Sequence, residues 1–301
     1  MFEKNHICVC ICTFKRPELL RQLLSKLEDQ KTEGLFEYSI VIVDNDRSAS
    51  ARQIVETFAQ HSNIPISYYL EPEQNIALAR NKAIENAKGE FIGFIDDDEF
   101  PINQWLFNLF KALNFYNSDG ILGPVFPHFE EEPPQWILKG RFFDRSTHPT
   151  GHVLEWQNTR TGNALLRREL FNKNTMWFNP TFGSGGEDRD FFRRKIEENR
   201  LFVWCNEAPV FETVRPERWK RTVQMKRAFL RGKMALNAQG FRPVSVFESV
   251  IAIALYTCCL PLFLFLGQHV FMKYLIKDCD HFGKVCAFLG IDLLKEKYIR
   301  G

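Results

Sequence analysis

The sequence has no internal repeat, no low-complexity segment, no C-x-x-C pair and little net charge. Each absence excludes something. Hydrophobic and charged fractions of 45% and 25% exclude wholesale disorder. A formal net charge of +2 over 301 residues says little about partners, so the location of charge matters more than its sum. Without a C-x-x-C partner, Cys8, Cys10 and Cys12 are a poor zinc site. They alternate along one presumed strand and read as small buried thiols. The N-terminal apolar run is short, leads into Lys15, Arg16 and Pro17, and has no small-residue cleavage site. It is expected to be a first strand and not a secretory signal. Eight cysteines without such a signal suggest a reducing compartment. Met and Tyr are modest at 5 and 7 residues, against 29 Phe, a bias that fits a large apolar core and a membrane-facing surface.

Short apolar runs alternate with amphipathic stretches. Residues 7–12, 39–43, 66–70 and 91–95 read as strands. Helices are expected from Pro17 onward, where Leu19, Leu20, Leu23, Leu24 and Leu27 recur at helical spacing, and over 51–60 and 75–88, the last ended by Gly89. Strands apolar on both faces and alternating with helices predict an α/β fold, a mostly parallel central sheet with flanking helices. Ligands bind beyond the carboxyl ends of such strands. Thr13, Asp44 and the run Asp96, Asp97, Asp98 all fall there. Residues 124–151, rich in Pro and aromatics around Trp136, are expected to form an ordered excursion over this rim. Strand-like pieces follow at 153–157 and 163–167.

Adjacent Asp96, Asp97 and Asp98 repel one another unless a cation or hydrogen-bond donors compensate. Hard oxygens suit Mg²⁺ or Mn²⁺ shared with a substrate diphosphate. The bland alternative is a solvated acidic turn, which the position after FIGFI disfavours. A second acidic pair, Glu187 and Asp188, follows the glycine-rich loop 183–186. Acids are also favoured at a helix start on electrostatic grounds alone. The two readings of this pair are even until it is set beside the metal-like cluster.

The runs CICTFKRPELL, IVIVDND, QNIALARNKAI, FIDDDE, TGNALLRR and GGEDRDFFRR, in that order over about residues 6–232, resemble the nucleotide-diphospho-sugar glycosyltransferases of family 2, which have the Rossmann-like GT-A fold. The match is to bacterial members that build exopolysaccharide or lipopolysaccharide. The resemblance implies that Thr13 and Asp44 hold the nucleoside, Asp44 accepting a hydrogen bond from the base's imide. UDP is then the expected nucleotide, although thymine offers the same edge. Arg80 would lie near the base or diphosphate. Asp96 and Asp97 would approach the ribose and sugar, and Asp98, with Asp96, would bind Mn²⁺ or Mg²⁺ in a D-x-D arrangement. Asn163 would sit beside the transferred sugar. Asp188 would be the general base and Glu187 would shape the acceptor site of an inverting hexosyltransferase. Arg218 and Trp219 resemble the Q-x-x-R-W motif of processive members, but Arg215 stands where Gln would be. One sugar per encounter is expected.

The last third changes character. Between Val214 and Lys233, eight Lys or Arg stand against the single acid Glu217, and residues 249–267 carry no charge. Three parts are expected: a catalytic domain over 1–213, a basic helical segment over 214–243, and apolar or amphipathic membrane-associating helices over 244–301. The apolar stretch is long enough to span a bilayer, though Pro261 would kink it. A buried core helix and a helix lying in one leaflet are the alternatives. A tail with Phe282, Val285, Phe288, Leu289 and Ile291 near Lys273, Lys277 and Lys284 suggests a second interfacial helix. Basic residues beside the apolar run favour lipid over nucleic acid and set that side in the cytoplasm. The expected partners are therefore a nucleotide-sugar donor, a saccharide or lipid-linked acceptor, and the cytoplasmic face of the plasma membrane, bound peripherally or through one embedded helix. Two rival readings stand: a nucleotidyltransferase, which would need glycines that TFKRPELL lacks, and a catalytically inactive sugar-binding scaffold on the membrane.

Overall fold

A computed structural model describes residues 5–171, 176–183, 185–239, 243–291 and 293–294. Ser184 of the glycine-rich loop, residues 240–242 of the basic segment and residues 295–301 of the tail lie outside these described residues. The first strand, β1 (Asn5–Thr13), is apolar on both sides. Ile7, Val9 and Ile11 enter one buried cluster while Cys8 and Cys10 enter another. A strand buried on both faces belongs inside a sheet covered on both sides. The cysteines are thus packing atoms between layers.

The alternation continues through α1 (Pro17–Glu28), β2 (Phe36–Asp44), α2 (Arg52–Ala59), β3 (Ile66–Leu70), α3 (Ile76–Asn86) and β4 (Phe91–Ile95). Pro17 opens α1, which buries all five leucines of its periodic stripe. Asn75 caps α3, its side chain accepting from the backbone N–H of Ala77 and Leu78. Beyond these come β5 (Glu99–Pro101), α4 (Trp105–Phe115), β6 (Gly120–Leu122), β7 (Val125–His128), α5 (Gln135–Gly140), β8 (Asn163–Arg167), α6 (Glu187–Glu197), β9 (Phe202–Trp204) and β10 (Val210–Thr213). The remaining helices are α7 (Arg221–Gln239), α8 (Pro243–Leu266) and α9 (Gln268–Phe288).

The main sheet has the order β3-β2-β1-β4-β8-β6-β9. It is mostly parallel, with β8 running antiparallel between β4 and β6. Residues 153–157 do not form the expected strand. Val153 makes one isolated bridge to Val203, and Trp156–Asn158 is a short 3-10 turn. The excursion over 124–151 contains β7 and α5. A second sheet, β5-β10-β7, sets Glu212 of β10 directly opposite Glu99 of β5. The chain leaves β1 on one side through β2 and β3, then returns through β4 on the other. That reversal opens a crevice beyond the ends of β1 and β4.

The described residues fall into two compact units, one within Met1–Pro127 and Arg145–Thr213, the other within His128–Asp144 and Val214–Gly301. The second unit has its own apolar centre, including Trp136, Phe143, Ala228, Met272 and Ile276. In it α7 and α9 approach closely where Gly232 faces the Asp280 carbonyl and Gly283 faces the Phe229 carbonyl, positions with no room for a Cβ. The stretch Val246–Leu266 of α8 is long and apolar enough to cross a membrane, and 6% of its most apolar window is buried. Among the described residues little covers this stretch, unlike the mostly buried core helix of a soluble protein.

Candidate active site

The groups beyond β1 and β2 hold one another tightly. Thr13 ends β1 and donates from Oγ1 to Asp97 Oδ2 at 2.8 Å, both residues being buried. Asp44 ends β2 at 0% exposure. Its Oδ1 accepts the Asp46 N–H, and its Oδ2 accepts the Ala51 N–H and the Tyr68 hydroxyl. In this conformation Asp44 anchors the 44–51 loop from inside. Asn45 ties that loop to the chain before α3, donating to the Glu71 and Glu73 carbonyls and accepting the Asn75 N–H.

The acidic run follows β4, as the crevice requires. Arg16 bridges Asp97 at 3.0 Å and Asp98 at 2.9 Å. Glu99 is buried, accepts the Asp96 N–H, and pairs with Arg145, which also pairs with Glu212. Burial pushes the Asp98 carboxyl up to about 7 despite Arg16. Burial likewise raises Asp97, and raises Glu99 well above the ordinary carboxylate range, with Asp96 adding to the effect. Burial, more than the like charges beside them, therefore favours the protonated form of these three carboxyls.

Asp96 differs from its neighbours, with 45% of its side chain exposed. It faces a cleft of about 220 Å³ lined by Arg80, Arg145, Arg160, Gly162, Asp188 and Arg189, with Thr159 and Thr161 between them. Gly162 leaves room there for two carboxylates: a Cβ would stand 2.8 Å from Glu99 Oε1 and 3.0 Å from Asp96 Oδ2 and would push them aside. Arg80, on α3, donates to Asp96 Oδ1 at 3.3 Å and to Glu187 Oε1, so a buried Glu187 is linked through Arg80 to the exposed Asp96. Glu187 Oε2 has no hydrogen-bond partner among the described residues. Asp188, in the first turn of α6, lines the cleft itself. Burial, then the neighbouring Arg145, lowers the Arg160 pKa from its ordinary value.

Asn163 is placed differently. It is buried on β8, where its Oδ1 accepts the Trp105 Nε1–H at 2.8 Å and its amide donates to the Pro124 and Ala208 carbonyls. It braces strands while its neighbour Gly162 reaches the cleft. Of the expected site residues, Arg80, Asp96 and Asp188 share the cleft wall. Thr13, Asp97, Asp98 and Glu187 stand behind it, and Asp44 lies within its own loop.

Among the described residues no three His, Cys, Asp or Glu side chains form a ready-made metal cage. The donor chemistry nevertheless fits a hard divalent cation. One or two carboxylates plus substrate phosphate oxygens suffice for Mg²⁺; the half-exposed Asp96 carboxylate faces the cleft, and a cation reaching Asp98 would meet a carboxylate now paired with Arg16.

A model described as Glycosyl transferase family 2 matches residues 8–175. The succinoglycan biosynthesis protein ExoM of Rhizobium meliloti (strain 1021) is 34% identical over 246 residues, covering 80% of this chain and 79% of ExoM. The chain belongs to glycosyl transferase family 2. Poly(ribitol-phosphate) beta-N-acetylglucosaminyltransferase TarS of Staphylococcus aureus (strain Mu50 / ATCC 700699) is 23% identical over 219 residues, 69% of this chain but 35% of TarS. This glycosyltransferase thus spans about a third of that relative's length. The crystal structure of S. aureus TarS 1-349 in complex with UDP-GlcNAc superposes with a TM-score of 0.56 at 18% identity, over 96% of this chain and 95% of that one. That likeness shows a GT-A fold. In this family 2 glycosyltransferase the motifs leave Arg16, Glu99, Arg145, Arg160 and Glu212 without roles. Arg16 sits in plain view just beyond β1. Glu212 has no sequence signal, because its place follows from β10 pairing with β5.

Proposed function

We propose that this glycosyltransferase is a metal-dependent, inverting hexosyltransferase. It moves a sugar from a nucleotide-diphosphate donor, best read as a UDP-sugar, to a saccharide or lipid-linked saccharide in cell-surface polysaccharide synthesis. The observation that carries the reading is the shared lining of one cleft, where Asp188 and Asp96 face Arg145, Arg160 and Arg189. A diphosphate calls for cationic donors, and an acceptor hydroxyl calls for a base within reach. The names of the relatives support the class: ExoM is named for succinoglycan biosynthesis, TarS for N-acetylglucosaminyl transfer, and TarS has been crystallised with UDP-GlcNAc.

In the proposed step the acceptor oxygen attacks the anomeric carbon on the face opposite the diphosphate. Its proton passes to the Asp188 carboxylate, the bond from the anomeric carbon to the phosphate oxygen breaks, and the electron pair leaves with the nucleoside diphosphate. A single displacement inverts the anomeric configuration. Arg145 and Arg160 hold the diphosphate oxygens. Asp96 binds the ribose or donor sugar, kept in place by Arg80 and, through it, by Glu187. Thr13 and the loop anchored by Asp44 border the nucleoside. Asn163 acts by bracing the strand that begins beside Gly162. A divalent cation held by Asp98 and Asp96 together with the diphosphate would offset the charge that develops on the leaving group.

The basic α7 and the exposed apolar α8 support docking at the cytoplasmic face of a membrane, where each Lys or Arg near anionic lipid contributes about 1 kcal/mol. Arg160 gives a direct test of the donor site. A charge-assisted hydrogen bond is worth about 1.5–3 kcal/mol, so Arg160→Ala should raise the donor KM by roughly tenfold to a hundredfold. An unchanged donor KM would remove Arg160 from the diphosphate site.

A further inference from the structure

The second unit contains a hairpin whose two faces differ in chemistry. α8 and α9 run antiparallel about the turn at Gly267, packed along their lengths. The contacts fall on one stripe of α8 at helical spacing. Ser249 Oγ meets His281 Nδ1 at 3.1 Å, Tyr256 packs on Tyr274 and His281, Thr257 donates to Asp278 at 3.2 Å, and Phe263 stacks on Tyr274 at 4.1 Å between centroids. The rest of α8 presents Phe247, Val250, Leu255, Leu262, Phe265 and Leu266 to the outside, Phe265 at 90% exposure.

α9 is far richer in charge than α8. It carries Lys273, Lys277, Asp278, Asp280, His281 and Lys284, and Asp280 is paired with Arg231 of α7. The residues of α9 that grip α8, from Tyr274 to His281, lie opposite the middle of α8. If α8 crossed a bilayer with this hairpin intact, Asp278 and His281 would be carried to hydrocarbon depth, where ionisable side chains are strongly disfavoured. Separating the helices would instead strip Asp278, Ser249 and His281 of these contacts. A helix lying in the plane of one leaflet meets neither cost. Its apolar arc enters the lipid while α9 stays on the polar side. Lys273, Lys277 and Lys284 share one face of α9, next to the face that bears Tyr274 and His281, and suit an anionic headgroup layer.

We infer that α8 is a monotopic anchor, inserted lengthwise into one anionic leaflet with α9 as its polar cover, and that the α8–α9 turn stays on the same side of the membrane as the catalytic unit. This rests on the membrane docking proposed above.

The test adds the full-length protein to preformed vesicles of phosphatidylcholine and phosphatidylglycerol. A thiol placed at the turn by Gln268→Cys, with Cys258→Ala and Cys259→Ala, is then probed from outside with a membrane-impermeant maleimide. Labelling of intact vesicles should equal labelling after detergent lysis. Phe265→Glu alters a side chain that packs on little else, so it should lower the vesicle-bound fraction at least about tenfold while leaving the unfolding temperature unchanged. If the wild type binds but the turn is protected until lysis, α8 spans and this inference is wrong. Equal vesicle binding by Phe265→Glu and wild type would also overturn it. If the wild type does not bind vesicles at all, the membrane reading itself falls.

Discussion

Asp188 and Asp98 stand in different surroundings, one lining the cleft and one buried beside Arg16, and the proposed reaction gives them different tasks. Asp188 lines the open cleft from the first turn of α6, and the proposed step makes it the base for the acceptor hydroxyl. General-base help is worth about 10²–10⁴-fold, so Asp188→Asn should lower kcat by a factor in that range and leave donor affinity within a few-fold. Single-turnover transfer and donor titration separate the two, and near-normal turnover would rule Asp188 out as the base. Asp98 sits deeper, and burial pushes its carboxyl from 3.8 up to about 7. A carboxyl raised on folding stabilises the fold fully below its unfolded pKa, and that contribution is lost as pH rises through the folded value. Burial moves Asp97 and Glu99 in the same direction. Metal-free protein should therefore lose melting temperature steadily between about pH 4 and about pH 7. Asp98→Asn should melt above the wild type in chelator at about pH 8, while Mn²⁺ should raise the melting temperature of the wild type more than that of the variant. A flat melting temperature across this range would contradict the rise that burial imposes on these carboxyls.

At the scale of elements, Asn163 shows how a motif residue can serve the fold. It satisfies the Trp105 indole and two carbonyls in a buried setting, and leaving such groups unpaired costs about 1–3 kcal/mol each. Asn163→Ala should lower unfolding stability by about 3 kcal/mol, measurable by urea denaturation, while a folded remnant keeps its donor KM. A large rise in KM with unchanged stability would return Asn163 to the sugar site. This residue also marks the limit of what the sequence discloses. The apolar runs at 66–70, 91–95 and 163–167 coincide with β3, β4 and β8, because burial of both faces writes a continuous signal. The starts of α1 at Pro17 and α6 at Glu187 were legible from their first-turn chemistry. The three-residue strands β5, β6 and β9 carry no periodic signal, being held by partners far away in sequence. The stretch 153–157 looked like a strand but has one bridge to Val203 in place of a ladder. In the site, acids after strand ends were visible, whereas the ion pairs of Arg145 with Glu99 and Glu212 depend on the second sheet.

At the scale of the whole molecule, two units divide the work. One carries the GT-A sheet, the acidic run and the arginine-lined cleft. The other carries α7, α8 and α9, with large apolar side chains exposed along α8. Membership of glycosyl transferase family 2 unites the chain with ExoM along most of both sequences, and the proposed function has this cleft transfer sugar from a nucleotide donor with a divalent cation. The most direct measurement is nucleotide release by purified protein in detergent across UDP-, GDP- and dTDP-sugars, with and without Mn²⁺, supplied with membrane saccharide-lipid extract as acceptor. The account predicts Mn²⁺-dependent release from one UDP-sugar, abolished by Asp98→Ala. Failure of every nucleotide sugar to bind or turn over, or full activity of Asp98→Ala in chelator, would contradict it.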